Sequence, residues 1–341
     1  MKQRIKNIGI NALLLVVFTL LSLLILEQGF RCWLFGWKAF DYTAMKNNAP
    51  ISNTDFMRQS PFDDIYWALK PNLNTSFKLA QLTTNSFGLA DKEYALAKPA
   101  NHYRIAVLGD SYSMASGVDT DKSFHAVLEN NLNTHASRPY ELINFAVGGF
   151  GLERYNATLE HLVPAWQPDA ILLGFCAFND QVALPPKTGT VPPFNPYIAN
   201  GFLSSYVREY LKLQSADKKA FQIRATTTYR PKDIAFIDQQ LGEMRRLANA
   251  IKPDMPILLA YLDNREHSAN DIADMAALAQ KHNILFVDAT QPFHNTNIDD
   301  YSIYLLDSHP NTEAHASFAD TLLAAIQREH FFDFSARVST P

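Results

Sequence analysis

The sequence is poor in cysteine and has no large excess of charge of either sign. It holds two Cys among 341 residues and has a net charge of −4. So few cysteines exclude a miniprotein built on disulfides and a Cys-rich zinc module. The balanced charge argues against a nucleic-acid-binding protein. The chain has no Walker-type phosphate loop and its His residues lack metal-ligand spacing, so we expect no cofactor and no metal.

Charged residues are missing altogether from one stretch near the N-terminus. Residues 8–26 form an uncharged apolar run of 19 residues. As a helix this run would be about 28 Å long, close to the thickness of a bilayer's hydrocarbon core. The aromatic residues that follow it are typical of a membrane interface: Phe30, Trp33, Phe35 and Trp37. We therefore predict a transmembrane anchor over residues 8–26.

The charges around this run predict its orientation. Lys2, Arg4 and Lys6 precede it without an acidic residue, which places residues 1–7 in the cytoplasm and the body outside it. In a Gram-negative cell the anchor would lie in the inner membrane and the body in the periplasm. The alternative is a cleaved signal peptide, but the run is long and no small-x-small cleavage site follows it. We expect an uncleaved, single-pass anchor.

The rest of the chain is an acidic body with an alternating pattern. Without the five basic residues and one acidic residue of positions 1–40, the 30 basic and 34 acidic residues become 25 and 33, a net charge of −8. Residues 27–100 lack clear periodicity and are interpreted as a stalk or wrapping segment. Residues 101–332 form the predicted domain, with an insertion at 184–230 and a tail at 333–341. Strands are predicted at 103–108, 140–147, 170–175, 256–262 and 284–287, and helices at 123–133, 152–162, 233–251, 269–282 and 312–329.

This alternation predicts a three-layer α/β/α fold around a parallel five-stranded sheet. Ligands bind such sheets beyond the carboxyl ends of the strands. Polar or flexible residues follow the first three predicted strands and precede the last helix. They are Gly109-Asp110-Ser111, Gly148-Gly149, Asn179, and Asp307 with His309. A hydroxyl, an imidazole, a carboxylate and oxyanion donors are the groups that acyl transfer needs.

With these residues the sequence resembles the SGNH (GDSL-type) hydrolase family, in its membrane-anchored bacterial branch. The resemblance extends over about residues 80–330. Four short blocks carry it: Gly109-Asp110-Ser111, Asn144 with Gly149, Ala177-Phe178-Asn179-Asp180, and Asp307 with His309. The third block has Ala177 where the family has Gly. The last block is Asp-x-His instead of Asp-x-x-His, a spacing similar to that of polysaccharide O-acetyltransferases.

The resemblance implies a role for each matching residue. Ser111 would be the nucleophile, His309 the general base and acid, and Asp307 the residue that orients His309. The oxyanion hole would consist of the backbone N–H groups of Ser111 and Gly149 and the side chain of Asn179, with Gly148 as an alternative to Gly149. Asp180 and His315 are interpreted as structural residues.

The expected function is an extracytoplasmic serine esterase that removes O-acyl groups, acetyl in the first place, from a surface or exported polysaccharide or a small ester. Two alternatives remain open. One is an O-acetyltransferase with the same residues, which would need a membrane partner to deliver the acyl group. The other is a non-catalytic assembly or glycan-binding module. A dinucleotide site at Gly149-Phe150-Gly151 is disfavoured because Arg154 stands where the third glycine belongs.

Overall fold

The computed structural model describes residues 2–48, 56–180, 201, 204–214, 229–265 and 267–337, without the side chains of residues 2–6, 178 and 179. Its α-helices are α1 (Lys2–Phe35), α2 (Tyr42–Lys46), α3 (Phe124–His135), α4 (Leu152–His161), α5 (Ala177–Asp180), α6 (Tyr206–Leu213), α7 (Pro231–Ile251), α8 (Ala269–Lys281) and α9 (Thr312–Arg328). Its strands are β1 (Met57–Gln59), β2 (Trp67–Leu69), β3 (Asn74–Phe77), β4 (Ala80–Thr83), β5 (Tyr103–Gly109), β6 (Tyr140–Asn144), β7 (Ala170–Phe175), β8 (Ile257–Tyr261), β9 (Leu285–Asp288), β10 (Ser302–Tyr304) and β11 (Asp307–Pro310).

The centre of the molecule is a five-stranded parallel sheet in the order β6-β5-β7-β8-β9. Its three central strands, β5, β7 and β8, are buried along their whole length, as in sheets that carry helices on both faces. Along β5, Ile105 and Val107 point into one core while Ala106 and Leu108 point into the other. The predicted α/β fold with a parallel five-stranded sheet is confirmed.

Helices cover both faces of this sheet. One core contains residues of α3 and α9, and the other contains residues of α4, α7 and α8. The long helix α7 illustrates why the sequence folds this way. It buries Ile237, Leu241, Met244 and Leu247, which recur at helical spacing along one side.

The predicted elements agree with the observed ones except at their ends. The predicted strand over residues 140–147 stops at Asn144, although the N–H groups of Phe145 and Val147 still donate to carbonyls of β5. The helix predicted from residue 233 begins two residues earlier, with Pro231 in its first turn, where a missing N–H costs nothing. Asn311 caps α9 by accepting a hydrogen bond from the N–H of Ala314.

Two small antiparallel hairpins precede the domain, within the segment interpreted as a stalk or wrapping segment. β1 pairs with β2, and β3 pairs with β4. Each strand has only three or four residues, too few to produce a visible alternation in the sequence. Ile65, Trp67 and Tyr94 of this segment are buried in the same core as α4 and α7, so the segment packs against the sheet domain.

α1 continues well past the predicted membrane span. It is one uninterrupted helix from Lys2 to Phe35 and is long and apolar enough to cross a membrane. Of the predicted insertion, the structure describes residue 201, residues 204–214 and residues 229–230. Its proline-rich first part lies outside the described residues.

Candidate active site

The candidate site lies where the order in which the chain adds strands to the sheet reverses. From β5 the chain moves outward to β6 and then crosses back to β7 on the other side of β5. This switch point leaves a crevice at the carboxyl ends of β5 and β7, the position where open α/β sheets bind ligands. Ser111 follows β5 and α5 follows β7. The topology therefore places two of the predicted blocks on opposite sides of one crevice.

The loop that carries Ser111 is tightly held. The Asp110 carboxylate accepts the N–H of Tyr112 at 2.8 Å, and the Asn144 amide donates to the carbonyl of Ser113 at 3.0 Å. Gly109 is required for the packing of this loop, because a Cβ there would lie 2.1 Å from Ser113 Oγ. Asn144 and Gly109 therefore position the serine loop without reaching the crevice themselves.

Ser111, His309 and Asp307 form a continuous line of polar contacts. His309 Nε2 lies 2.9 Å from Ser111 Oγ, and His309 Nδ1 lies 2.5 Å from Asp307 Oδ1. The backbone N–H of His309 also donates a hydrogen bond to Asp307 Oδ1 at 3.2 Å. With Nδ1 donating its proton to Asp307, Nε2 is left as the acceptor for the serine hydroxyl proton. This is the arrangement that a serine nucleophile needs.

Asp307 and His309 lie on a short strand that the sequence pattern does not predict. They belong to β11, which pairs with β10 in a short hairpin before α9. Side chains two residues apart on a strand point to the same side. The short Asp-x-His spacing therefore suits a strand, where it sets the carboxylate beside the imidazole.

Lys78 is a site residue that the sequence analysis missed. Its Nζ lies 2.7 Å from Asp307 Oδ2 and 3.2 Å from His309 Nδ1, and its side chain is only 9% exposed. An ammonium group only donates, so its approach to a protonated Nδ1 is an electrostatic contact. Burial alone would raise the pKa of Asp307, but the charges of Lys78 and His309 outweigh it and hold that pKa well below its usual range.

A hairpin turn delivers Lys78 to this position. Phe77 pairs with Ala80, so Lys78 and Leu79 form the two-residue turn between β3 and β4. Both have positive φ angles, 49° and 69°, as a type I′ turn requires. No composition or motif signal marks this turn in the sequence, since it lacks the usual Asn-Gly pair.

The predicted oxyanion donors are located in part. A Cβ on Gly148 would lie 3.7 Å from Ser111 Cβ, so the Gly148-Gly149 loop borders the serine. The carbonyl of Gly148 accepts a hydrogen bond from Trp67 Nε1 at 3.3 Å. In a trans peptide the following N–H, that of Gly149, points the opposite way, away from Trp67. Asn179 lies on α5, and its side chain is outside the described residues.

Asp180 and His315 are both buried near the site. Asp180 accepts the N–H of Cys176 at 2.8 Å, and burial raises its pKa well above the usual value. His315 accepts the N–H of Phe124 through Nδ1 at 3.1 Å, and burial lowers its pKa to about 3. Both contacts are to the backbone of neighbouring elements, which is what a structural role requires.

The sheet order together with a Gly-Asp-Ser loop after the first sheet strand defines the SGNH class of hydrolase folds. A model of the GDSL-like lipase/acylhydrolase family matches residues 107–316, more than half of the chain. The chain belongs to this family of ester-hydrolysing enzymes. Among curated proteins, none matches the chain.

Several solved structures resemble the chain at low sequence identity. TesA is 15% identical, with a TM-score of 0.42, and the match covers 66% of this chain and 98% of TesA. A lipase/acylhydrolase from Enterococcus faecalis is 12% identical, with a TM-score of 0.41 and coverage of 70% and 100%. The acetyl xylan esterase AlAXEase is 17% identical, with a TM-score of 0.39 and coverage of 65% and 99%.

Proposed function

We propose that the chain is a membrane-anchored, extracytoplasmic serine esterase that removes small O-acyl groups, acetyl in the first place, from a surface or exported polysaccharide. The observation that carries the proposal is the line of contacts from Ser111 through His309 to Asp307. Membership of the acylhydrolase family supports ester chemistry. The long apolar helix α1 supports the anchor.

The contacts suggest a two-step reaction. Ser111 Oγ attacks the acyl carbon while His309 Nε2 takes the hydroxyl proton, and Asp307 stabilises the imidazolium that forms. The N–H groups of Ser111 and Gly149 and the side chain of Asn179 would stabilise the oxyanion. His309 then returns the proton to the leaving alcohol. Water, activated by His309, hydrolyses the acyl-enzyme and releases the acid.

Replacing the nucleophile tests this proposal. In the full-length protein in detergent, we expect Ser111→Ala to lower kcat for p-nitrophenyl acetate by about 10³-fold or more. Ser113→Ala is the matched control, because the Ser113 hydroxyl has no hydrogen-bond partner in the described part of the chain. If Ser111→Ala retained the wild-type rate, Ser111 would not be the nucleophile.

Product analysis separates hydrolysis from acyl transfer, which the Asp-x-His spacing keeps open. The purified protein is incubated with an acetylated glycan, and free acetate is measured alongside acetyl groups on an added unacetylated acceptor glycan. A hydrolase releases acetate in amounts equal to the ester lost. Acetyl groups that accumulate on the acceptor would instead identify a transferase.

The proposed topology has its own test. A reporter that is active only outside the cytoplasm is fused after Pro341, and a second reporter that is active only inside is fused at the same point. We expect activity from the first fusion alone. Activity from the second alone would mean that the body is cytoplasmic.

A further inference from the structure

The end of α1 beyond the predicted membrane span packs directly on the β10–β11 hairpin, which carries Asp307 and His309. Phe35, the last residue of α1, is buried, and its ring lies 5.1 Å from that of Tyr304. Tyr304 is the direct cross-strand partner of Asp307 in the β10–β11 hairpin. Directly opposed residues have Cβ atoms about 5 Å apart. The side chain of Tyr304 therefore lies between the end of α1 and Asp307.

A second connection runs from the anchor to Lys78. Just after α1, Lys38 Nζ donates a hydrogen bond to the carbonyl of Leu79 at 3.0 Å. Leu79 shares the turn with Lys78 and packs in one hydrophobic cluster with Phe35 and Leu306. Leu306 immediately precedes Asp307. The same cluster thus supports both hairpins that bring Lys78, Asp307 and His309 together.

Polar contacts hold the helix in this place. Glu27 accepts hydrogen bonds from Ser205 Oγ and from the N–H of Tyr206, both at 2.9 Å. Arg31 donates to the carbonyl of Ser204 at 2.6 Å and to Glu27 at 2.9 Å. Residues 27–35 of α1 are therefore an integral part of the body, and they continue without a break into the apolar run.

This continuity sets the height of the site above a membrane. From Leu26 to Phe35 the helix rises about 14 Å, while a headgroup layer is about 5–8 Å thick on each side of the hydrocarbon core. Trp33 on this stretch and Trp37 and Phe40 just after it have 66%, 88% and 59% of their surface exposed. Exposed aromatic rings at the end of an apolar helix favour the membrane interface.

We propose that this docking holds the catalytic site just outside the headgroup layer, so that its ester substrate is carried by a membrane-bound molecule and reacts close to the bilayer surface. The proposal rests on the proposed function. A site on a flexible stalk would sample a large volume, whereas a site fixed beside the headgroups meets membrane-bound esters at a high effective concentration.

The test uses the full-length protein reconstituted in phosphatidylcholine vesicles. Two probes carry the same acetylated glucose, one on an octadecyl chain embedded in the same vesicles and the other as the soluble methyl glycoside. At equal bulk concentration we expect the embedded ester to lose acetate about tenfold faster or more. Equal rates, or faster cleavage of the soluble ester, would overturn the inference.

A spacer variant separates the fixed height from simple tethering. Ten Gly and Ser residues inserted between Leu26 and Glu27 leave the docked residues in contact with the body but add a flexible chain of roughly 18 Å. We expect the rate on the embedded ester to fall about tenfold and the rate on the soluble ester to stay unchanged. The same ten residues added after Pro341 are the control and should change neither rate. An unchanged rate on the embedded ester would contradict the fixed height.

If the spacer also lowers the rate on the soluble ester, a second variant tests the inference instead. The double substitution Trp37→Ser and Phe40→Ser changes exposed rings outside the catalytic machinery, and Leu96→Ser is its exposed control. Loss on the embedded ester alone supports the inference, and no loss overturns it. Failure of the proposed function is distinguishable, because Ser111→Ala would then leave the soluble-ester rate unchanged.

Discussion

At the scale of single residues, Lys78 is the main addition that the structure makes to the site. Its Nζ contacts Asp307 Oδ2, while His309 contacts the other carboxylate oxygen, Oδ1. Gly117 leaves room for the turn that carries it, since a Cβ at Gly117 would lie 3.4 Å from Lys78 Cβ and 2.6 Å from Ile303 Cδ1. Lys78 therefore acts as a positioning residue for Asp307, and its positive charge opposes the formation of the imidazolium.

Removing that charge should change the pH dependence of the reaction. In Lys78→Met the positive charge of the lysine no longer offsets the negative charge of the Asp307 carboxylate. That charge then stabilises the imidazolium form of His309 more strongly. We expect the acid limb of kcat/KM on p-nitrophenyl acetate to move to higher pH. Lys78→Arg keeps the charge and should keep the limb near its wild-type position. If Lys78→Met lowered the rate equally at every pH, Lys78 would have a purely structural role.

At the scale of elements, the site depends on how closely β5 and β7 approach the serine loop. Ser113 Oγ lies 2.1 Å from the place of a Cβ on Gly109, at the end of β5, and 2.0 Å from that of a Cβ on Gly174 in β7. Side chains at these two glycines would push the loop away from the sheet. Both glycines are needed for this packing, because Ser113, two residues after Ser111, packs against both strands.

Gly109→Ala should therefore damage both stability and activity. We expect a loss of about 1–3 kcal/mol in the free energy of unfolding from the overpacked core, together with a lower kcat because Ser111 moves. Adding Ser113→Gly removes the clashing atoms and should restore part of both. Gly29→Ala is the control, since nothing lies within 4 Å of its Cβ position in α1. A Gly109→Ala protein with wild-type activity would contradict this packing.

At the scale of the whole molecule, the two helices on one face of the sheet are joined by a buried histidine. His315 of α9 accepts the N–H of Phe124, the first residue of α3. Burial lowers the pKa of His315 to about 3, so this histidine is neutral in the folded protein. Protonation would turn its acceptor nitrogen into a donor facing another donor. Protonation of His315 would therefore destabilise this layer.

This histidine should make the fold sensitive to acid. Between the folded pKa of about 3 and an unfolded value of about 6.5, the unfolded chain binds one more proton than the folded chain. Stability is therefore complete above the unfolded pKa and falls by about 1.4 kcal/mol per pH unit as the pH drops through this window. His315→Asn cannot titrate and should have a weaker dependence of the thermal unfolding midpoint on pH between 4 and 6.

His102→Asn is the matched control for this measurement, because among the described residues His102 hydrogen-bonds within its own surface turn. It should keep the wild-type pH dependence. An identical acid dependence in His315→Asn and in the wild type would mean that other groups control acid unfolding.

Local sequence patterns determined much of the fold. The apolar strands and amphipathic helices are encoded by neighbouring residues, so their order and the parallel sheet could be predicted, with errors of a few residues at the ends of elements. The motif blocks likewise singled out Ser111, Asp307 and His309, because each block lies directly beside a strand or helix that the pattern reveals. Their chemical roles, and that of Asn179, stay predictions.

Only the tertiary structure decided which distant residues join these blocks. Lys78 lies 231 positions before His309 and reaches it through a turn with no sequence signal. The uncharged run of residues 8–26 predicts a membrane helix by itself, but the docking of Phe35 against Tyr304 does not follow from it. Such contacts depend on how hairpins and helices pack against each other. Packing is a property of surfaces that form after the local elements do, and no short stretch of sequence contains it.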